Sequence, residues 1–261
     1  MPFSRQDPKL FYLREGSGPD LVLIHGVGSQ HGDWAGVAKA LAGKFSILRY
    51  DLRGHGTSAA PPGPYEIEDF TADLIALLDE TGLVRPHIAG FSLGGLIAQC
   101  IALNYTERVD KLALLGTVAG RTPEEKARVK GRLEFIASSH PADYFDQSVS
   151  RWFTEEFQAA HPDVVAARKA VVTAMDGDAY AAAYHALAMT DFSDRLSEIT
   201  HETLVATGED DIGSNPRMAR FMADAISNSR LEILPGLRHS ILLEAPDQVA
   251  GLLSDFFFEP S

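Results

Sequence analysis

Residues Gly90-Phe91-Ser92-Leu93-Gly94 set one serine between glycines two positions before and two after it. They join an apolar, strand-like run, His87 to Phe91, to a helix-like run, Ser92 to Leu103. A serine on so sharp a strand-to-helix turn is held in strained dihedrals with its hydroxyl clear of the sheet, and small residues on either side prevent backbone clashes. That setting suits nucleophilic attack on a carbonyl carbon. Serine is a weak nucleophile at neutral pH, so Ser92 requires a general base and a group to orient that base.

On a sheet of this kind the partners follow in the order serine, acid, histidine, each in a loop after a strand. His239 lies in such a loop, Pro235 to His239, between the strand-like run Arg230 to Leu234 and a helix beginning near Pro246. It is the expected base. The run Val109 to Leu115 is followed by Gly116-Thr117-Val118-Ala119, which carries no carboxylate, so the acid is expected among Glu209, Asp210 and Asp211, after the strand-like run Thr203 to Thr207. A tetrahedral intermediate also needs backbone donors. The N–H groups of Leu93, at a helix N-terminus, and Val27, in His25-Gly26-Val27-Gly28, are expected to form that oxyanion hole. His25 is expected to brace its loop, His55 to belong to a turn, and His31 is a candidate for the pocket wall.

Seven strands are expected, over Lys9 to Arg14, Leu21 to His25, Phe45 to Tyr50, His87 to Phe91, Val109 to Leu115, Thr203 to Thr207 and Arg230 to Leu234. Helical patterns alternate with them. The clearest is Glu66 to Thr81, where Ile67, Phe70, Leu74, Leu77 and Leu78 share one face, acidic residues open the helix and Gly82 stops it. This alternation predicts an α/β fold with a mostly parallel central sheet and helices on both faces. Between about Gly120 and Glu198 the strands cease and apolar residues recur at helical spacing. The expected division is therefore a core of residues 1–119 and 199–261, with a helical cap of residues 120–198 over the strand ends, where open α/β sheets bind ligands.

Composition narrows the function classes. A chain of 261 residues, 45% hydrophobic and 23% charged, can bury one large core. Its net charge of −13 argues against nucleic acid and anionic membranes as partners, since both demand a cationic footprint. Cys100, the single cysteine, sits among apolar residues and can form neither a disulfide framework nor a thiolate metal site. The stretch Met1 to Pro8 holds no apolar core of signal-peptide length and no stretch approaches a membrane span, so a cytoplasmic protein is expected. The sequence leaves the oligomeric state open.

The chain resembles the α/β-hydrolase superfamily through His25-Gly26, Asp51-Leu52-Arg53-Gly54-His55-Gly56-Thr57-Ser58, Gly90 to Gly95, Gly208-Glu209-Asp210-Asp211 and His239. The resemblance places the acid at the fourth residue of the Gly208 run, so Asp211 is preferred over Asp210. More closely, Arg49 to Gly56, Ala60 to Asp69 and the cap run Arg151-Trp152-Phe153-Thr154 are similar to the 3-oxoadipate enol-lactonases of aromatic catabolism. That likeness implies a carboxylic ester hydrolase acting on a small-molecule ester or lactone, with no metal and no cofactor. Its substrate would be an anion, which a protein of this charge repels unless the pocket holds a local cation. The cap supplies candidates in Arg151 and in Arg121 to Arg132, where five cations face two acids. Trp152 and Arg151 are the expected substrate-binding residues, while Trp34 is expected in the core. A general carboxylesterase, a C–C bond hydrolase and a hydrolase-fold signal receptor are the alternatives.

Overall fold

The computed structural model describes residues 3–258. Seven strands form one sheet in the order β1-β3-β2-β4-β5-β6-β7. They are β1 (Tyr12–Gly16), β2 (Asp20–Ile24), β3 (Ser46–Tyr50), β4 (His87–Phe91), β5 (Leu112–Leu115), β6 (Thr203–Gly208) and β7 (Ser229–Leu234). Only β1 runs antiparallel to its neighbour. The central strands β4, β5 and β6 are buried along their whole length, which explains why they read as continuous apolar runs.

Alternate residues of each strand feed two cores. Val22, Ile24, Ile88 and Leu114 face one layer. It holds α2 (Ile67–Thr81), α3 (Leu93–Asn104) and α10 (Pro216–Ala225). Leu21, Leu23, Ala89 and Leu115 face the opposite layer, with α1 (Ala35–Leu41) and α12 (Pro246–Phe258). Helix α2 begins and ends as its sequence predicts: Glu66 and Asp69 form a reciprocal capping box, and Gly82 closes it at φ 72°. Two strand starts shift by three residues. Lys9 and Leu10 lie outside β1 because their backbone groups are occupied, by the N–H of Ala59 and the hydroxyl of Ser4. Strand β5 starts at Leu112 because a 3₁₀ turn, Thr106–Arg108, still carries the chain into the sheet.

Between β5 and β6 lie a short 3₁₀ turn, Leu196–Glu198, and six α-helices with no strand: α4 (Pro123–Ser138), α5 (Pro141–Asp146), α6 (Val149–Trp152), α7 (Glu155–Ala160), α8 (Pro162–Thr173) and α9 (Gly177–Met189). Ile136, Tyr144, Phe145, Val172 and Tyr180 give this layer its own small core. A one-turn helix that the sequence does not announce, α11 (Ile241–Glu244), separates His239 from α12. Residues 1, 2 and 259–261 of the expected core lie outside the described residues. Among the described residues, no helix is long and apolar enough to cross a membrane.

Candidate active site

Ser92 follows β4 and caps α3 at φ 56°, ψ −115°. Among the described residues it is the one non-glycine with positive φ, a conformation that persists only where the surroundings impose it. Those surroundings are visible. The N–H of Ser92 donates to Leu115 O at 2.9 Å, and its carbonyl accepts from Thr117 Oγ1 at 2.8 Å. A Cβ at Gly90 would collide with the Gly94 carbonyl, and one at Gly94 with the carbonyls of Ile24 and His25. Both glycines are therefore required by close backbone approach.

Asp211 and His239 leave the carboxyl ends of β6 and β7, one and two strands beyond β5, and meet with Asp211 Oδ2 2.6 Å from His239 Nδ1. Gly208 lets the two loops converge, since a Cβ there would strike the carbonyls of Leu237 and Arg238. Glu209 and Asp210 are exposed, whereas Asp211 is 3% exposed. Its Oδ1 accepts from the N–H groups of Gly213 (2.8 Å) and Ser214 (2.9 Å). Burial alone would raise the Asp211 pKa, but the His239 charge and these hydrogen bonds outweigh it and hold the carboxyl below its ordinary value. The Phe91 ring packs at 4.9 Å against the His239 imidazole.

The loop after β2 lies against Ser92: a Cβ on Gly26 would stand 2.8 Å from Ser92 Cβ. Two buried histidines brace it. His25 Nδ1 donates to Gly26 O and its Nε2 accepts from Leu52 N–H at 3.0 Å. His55 Nε2 accepts from Gly28 N–H at 3.1 Å. Burial pushes both down, His25 to about 4 and His55 to about 3, so both are neutral imidazoles with one acceptor nitrogen each. Among the described residues, the N–H groups of Val27 and Leu93 donate to no protein acceptor.

Ser92, His239, Val27, Trp152 and Arg151 all line one cavity of about 270 Å³ between the sheet and the intervening helices. His31 does not reach it. Its Nδ1 is drawn to the buried Asp51 at 2.7 Å, which overturns its placement in the pocket wall. Trp34 is fully buried, as expected. Of the cationic run, Lys126 and Lys130 are exposed and outside the cavity wall. Arg121 reaches the wall, but its guanidinium is taken by the carbonyls of Leu187, Ala188 and Thr190, at and just beyond the C-terminal end of α9. Arg168, Tyr180 and Tyr184 also line the cavity, and no feature of the sequence marked them. Apolar residues are spread around most of both helices, so their periodicity singles out no cavity-facing side. Among the described residues no cluster of His, Cys, Asp and Glu could hold a metal ion.

The chain is similar to known hydrolases. It is 29% identical over 231 residues to 3-oxoadipate enol-lactonase 2 of Acinetobacter baylyi, covering 88% of this chain and 86% of that one. It is also 29% identical over 241 residues to the (E)-2-((N-methylformamido)methylene)succinate hydrolase of the same organism, covering 91% and 90%. The crystal structure of the enol-lactonase from Burkholderia xenovorans LB400 superposes with a TM-score of 0.87 at 29% identity, covering 99% of this chain and all of that one. Residues 19–246 match the family described as the alpha/beta hydrolase fold, and the chain belongs to that family.

Proposed function

We propose that this hydrolase cleaves a small carboxylic ester or lactone through an acyl-Ser92 intermediate, with 3-oxoadipate enol-lactone, an intermediate of aromatic catabolism, as its substrate. The observation that carries this reading is the strained turn of Ser92 in one cavity with the His239–Asp211 pair. Residues 120–198 act as the cap that shapes the cavity over residues 1–119 and 199–261.

With Nδ1 tied to Asp211, the free Nε2 of His239 accepts the Ser92 proton as Oγ attacks the substrate carbonyl carbon. Negative charge moves to the carbonyl oxygen, and the unpartnered N–H groups of Val27 and Leu93 receive it. The tetrahedral species collapses with cleavage of the ring C–O bond, and the enol oxygen departs with the proton from His239. Because the ring has opened, the enol stays attached to the acyl-serine and ketonises. His239 then takes a proton from water, the hydroxide adds to the acyl carbon, and Ser92 regains its proton as the acid leaves. Asp211 holds the imidazole in the required tautomer and stabilises its charged form throughout.

The test is hydrolysis of 3-oxoadipate enol-lactone beside a short neutral p-nitrophenyl ester, by the unmodified protein and by Ser92→Ala. Lactone turnover that vanishes in Ser92→Ala and exceeds the ester rate is the expected result. Ester turnover without lactone turnover would reject the substrate, and Ser92-independent turnover would reject the acyl-serine.

A further inference from the structure

Three carboxylates line the cavity, and each already has a cationic or imidazole partner. Asp211 holds His239, Glu125 holds Arg217 at 2.5 Å, and Asp33 lies 3.5 Å from Arg168. The arginines are not matched in the same way. Arg121 is taken by the end of α9 and Arg168 by Asp33 and the Gly28 carbonyl. Arg128, exposed on α4, has no carboxylate within ion-pairing distance among the described residues, and neither do the half-buried Arg132 of α4 and Arg151 of α6.

These two guanidinium groups meet on one buried hydroxyl. Ser148 Oγ gives its hydrogen to Tyr144 O at 2.5 Å, which leaves its lone pairs to accept from Arg132 Nη2 and, at 3.3 Å, from Arg151 Nη2. Arg132 Nη2 also reaches Tyr144 O at 3.4 Å. Each guanidinium carries five donors, and only Nη2 of each has a protein acceptor among the described residues. Both side chains are half-buried, and burial together with the Arg132 charge pushes the Arg151 pKa down. Two like charges brought together without an acid oppose folding, and an anion shared between them removes that cost.

We propose that Arg132 and Arg151 form a clamp for a carboxylate carried by the substrate, so that the preferred ester or lactone is an anion with its carboxylate on the cap side of the cavity. The inference rests on the hydrolase reading only for the group that reacts. Arginine suits the task because its planar fork matches both oxygens of a carboxylate, and Ser148 fixes one edge of each fork while the other edge stays available.

Monomethyl succinate and dimethyl succinate differ by one carboxylate and serve as paired probes. Their binding to Ser92→Ala protein is measured by calorimetry and by melting temperature, with the clamp intact and with Arg132→Gln or Arg151→Gln added. The expected result is a preference for the half-ester that falls tenfold or more in either clamp variant, with dimethyl succinate changed less than about twofold. Arg151→Lys, which keeps charge but loses the fork, should recover only part of the preference. Should the glutamine variants fail to fold, half-ester binding to Ser92→Ala alone must still exceed that of the diester and weaken with added salt. Equal binding of the two probes with the clamp intact, no detectable half-ester binding, or an equal loss on both probes in the variants would overturn the clamp. Hydrolysis by the unmodified protein is read separately. Carboxylate-selective binding without cleavage of 3-oxoadipate enol-lactone or of either ester leaves the clamp standing and rejects the hydrolase reading, whereas cleavage without selectivity does the reverse.

Discussion

Arg168 of α8 donates to the carbonyl oxygen of Gly28, and its Nε lies 3.5 Å from the Asp33 carboxylate. One helix between β5 and β6 is thereby fastened to the loop that presents the Val27 N–H. The guanidinium is buried, lies 5.2 Å from the Trp152 ring, and closes a short path from the cavity roof to the loop beside Ser92.

Arg168→Met keeps the apolar stem and removes this tie. Losing one oxyanion donor outright costs ~10²–10³ in kcat, so loosening the Val27 loop should lower kcat by about ten- to a hundredfold while KM moves only a few-fold. Steady-state kinetics on a p-nitrophenyl ester separate the two parameters. A variant that melts earlier yet keeps its kcat would show that Arg168 serves the fold alone.

Asp211→Asn tests the acid against its neighbours. Asparagine can keep the Oδ1 contacts to Gly213 and Ser214 but then presents its NH₂ donor to His239 Nδ1, favouring the wrong tautomer. A fall in kcat of ~10³–10⁴ is expected, with Asp210→Asn within about twofold of the unmodified protein. If Asp210→Asn gave the larger loss, the acid would have been misplaced by one residue.

How far the site can be read from sequence depends on how local each feature is. The Ser92 turn is contiguous, so its glycines, strand and helix are visible together, and His239 and the loop Glu209 to Asp211 follow from their places after strands. Asp211 could be separated from Asp210 only by resemblance, because three acids in one loop differ in burial and not in type. The cation run Arg121 to Arg132 reads like any solvated helix face. Only tertiary packing turns Arg132 toward Arg151, ties Arg121 to α9 and leaves Lys126 and Lys130 outside. His31 was misplaced for the same reason: its partner Asp51 is twenty residues away in the chain and adjacent across the β2–β3 edge.

Two glycines with opposite surroundings should respond oppositely to alanine. A Cβ at Gly94 meets the backbone of Ile24 and His25, which cannot move aside, so Gly94→Ala should cost about 1–3 kcal/mol and disturb the Ser92 turn. Gly131 lies inside α4 with nothing within 4 Å of its would-be Cβ, so Gly131→Ala should stabilise by ~0.5–1 kcal/mol. Urea unfolding of both variants measures the difference, and a neutral Gly94→Ala would show that the elbow tolerates more backbone adjustment than its contacts suggest.

Acid should unfold the protein through the histidines beneath the Val27 loop before it reaches the carboxylates. Burial lowers His25 to about 4 and His55 to about 3, whereas in the unfolded chain both titrate near 6.5. Below pH 6.5 the unfolded state therefore binds protons that the folded state refuses, and stability falls with pH, at about 1.4 kcal/mol per unit for each group. At pH 4 the loss is on the order of 3 kcal/mol for each histidine. Asp51, held at about 2 by its hydrogen bonds despite burial, adds its loss only below its ordinary 3.8, so the two windows separate. His87 is also lowered by burial and contributes to the upper window, which makes a single variant the cleaner comparison. In His55→Gln an amide oxygen can accept the Gly28 N–H and its NH₂ can serve the Arg53 carbonyl, without a titrating proton. Urea midpoints between pH 7 and pH 4.5 should fall less steeply in His55→Gln, by about one proton's worth of slope, and identical slopes would mean that His55 is accessible to protons in the folded protein.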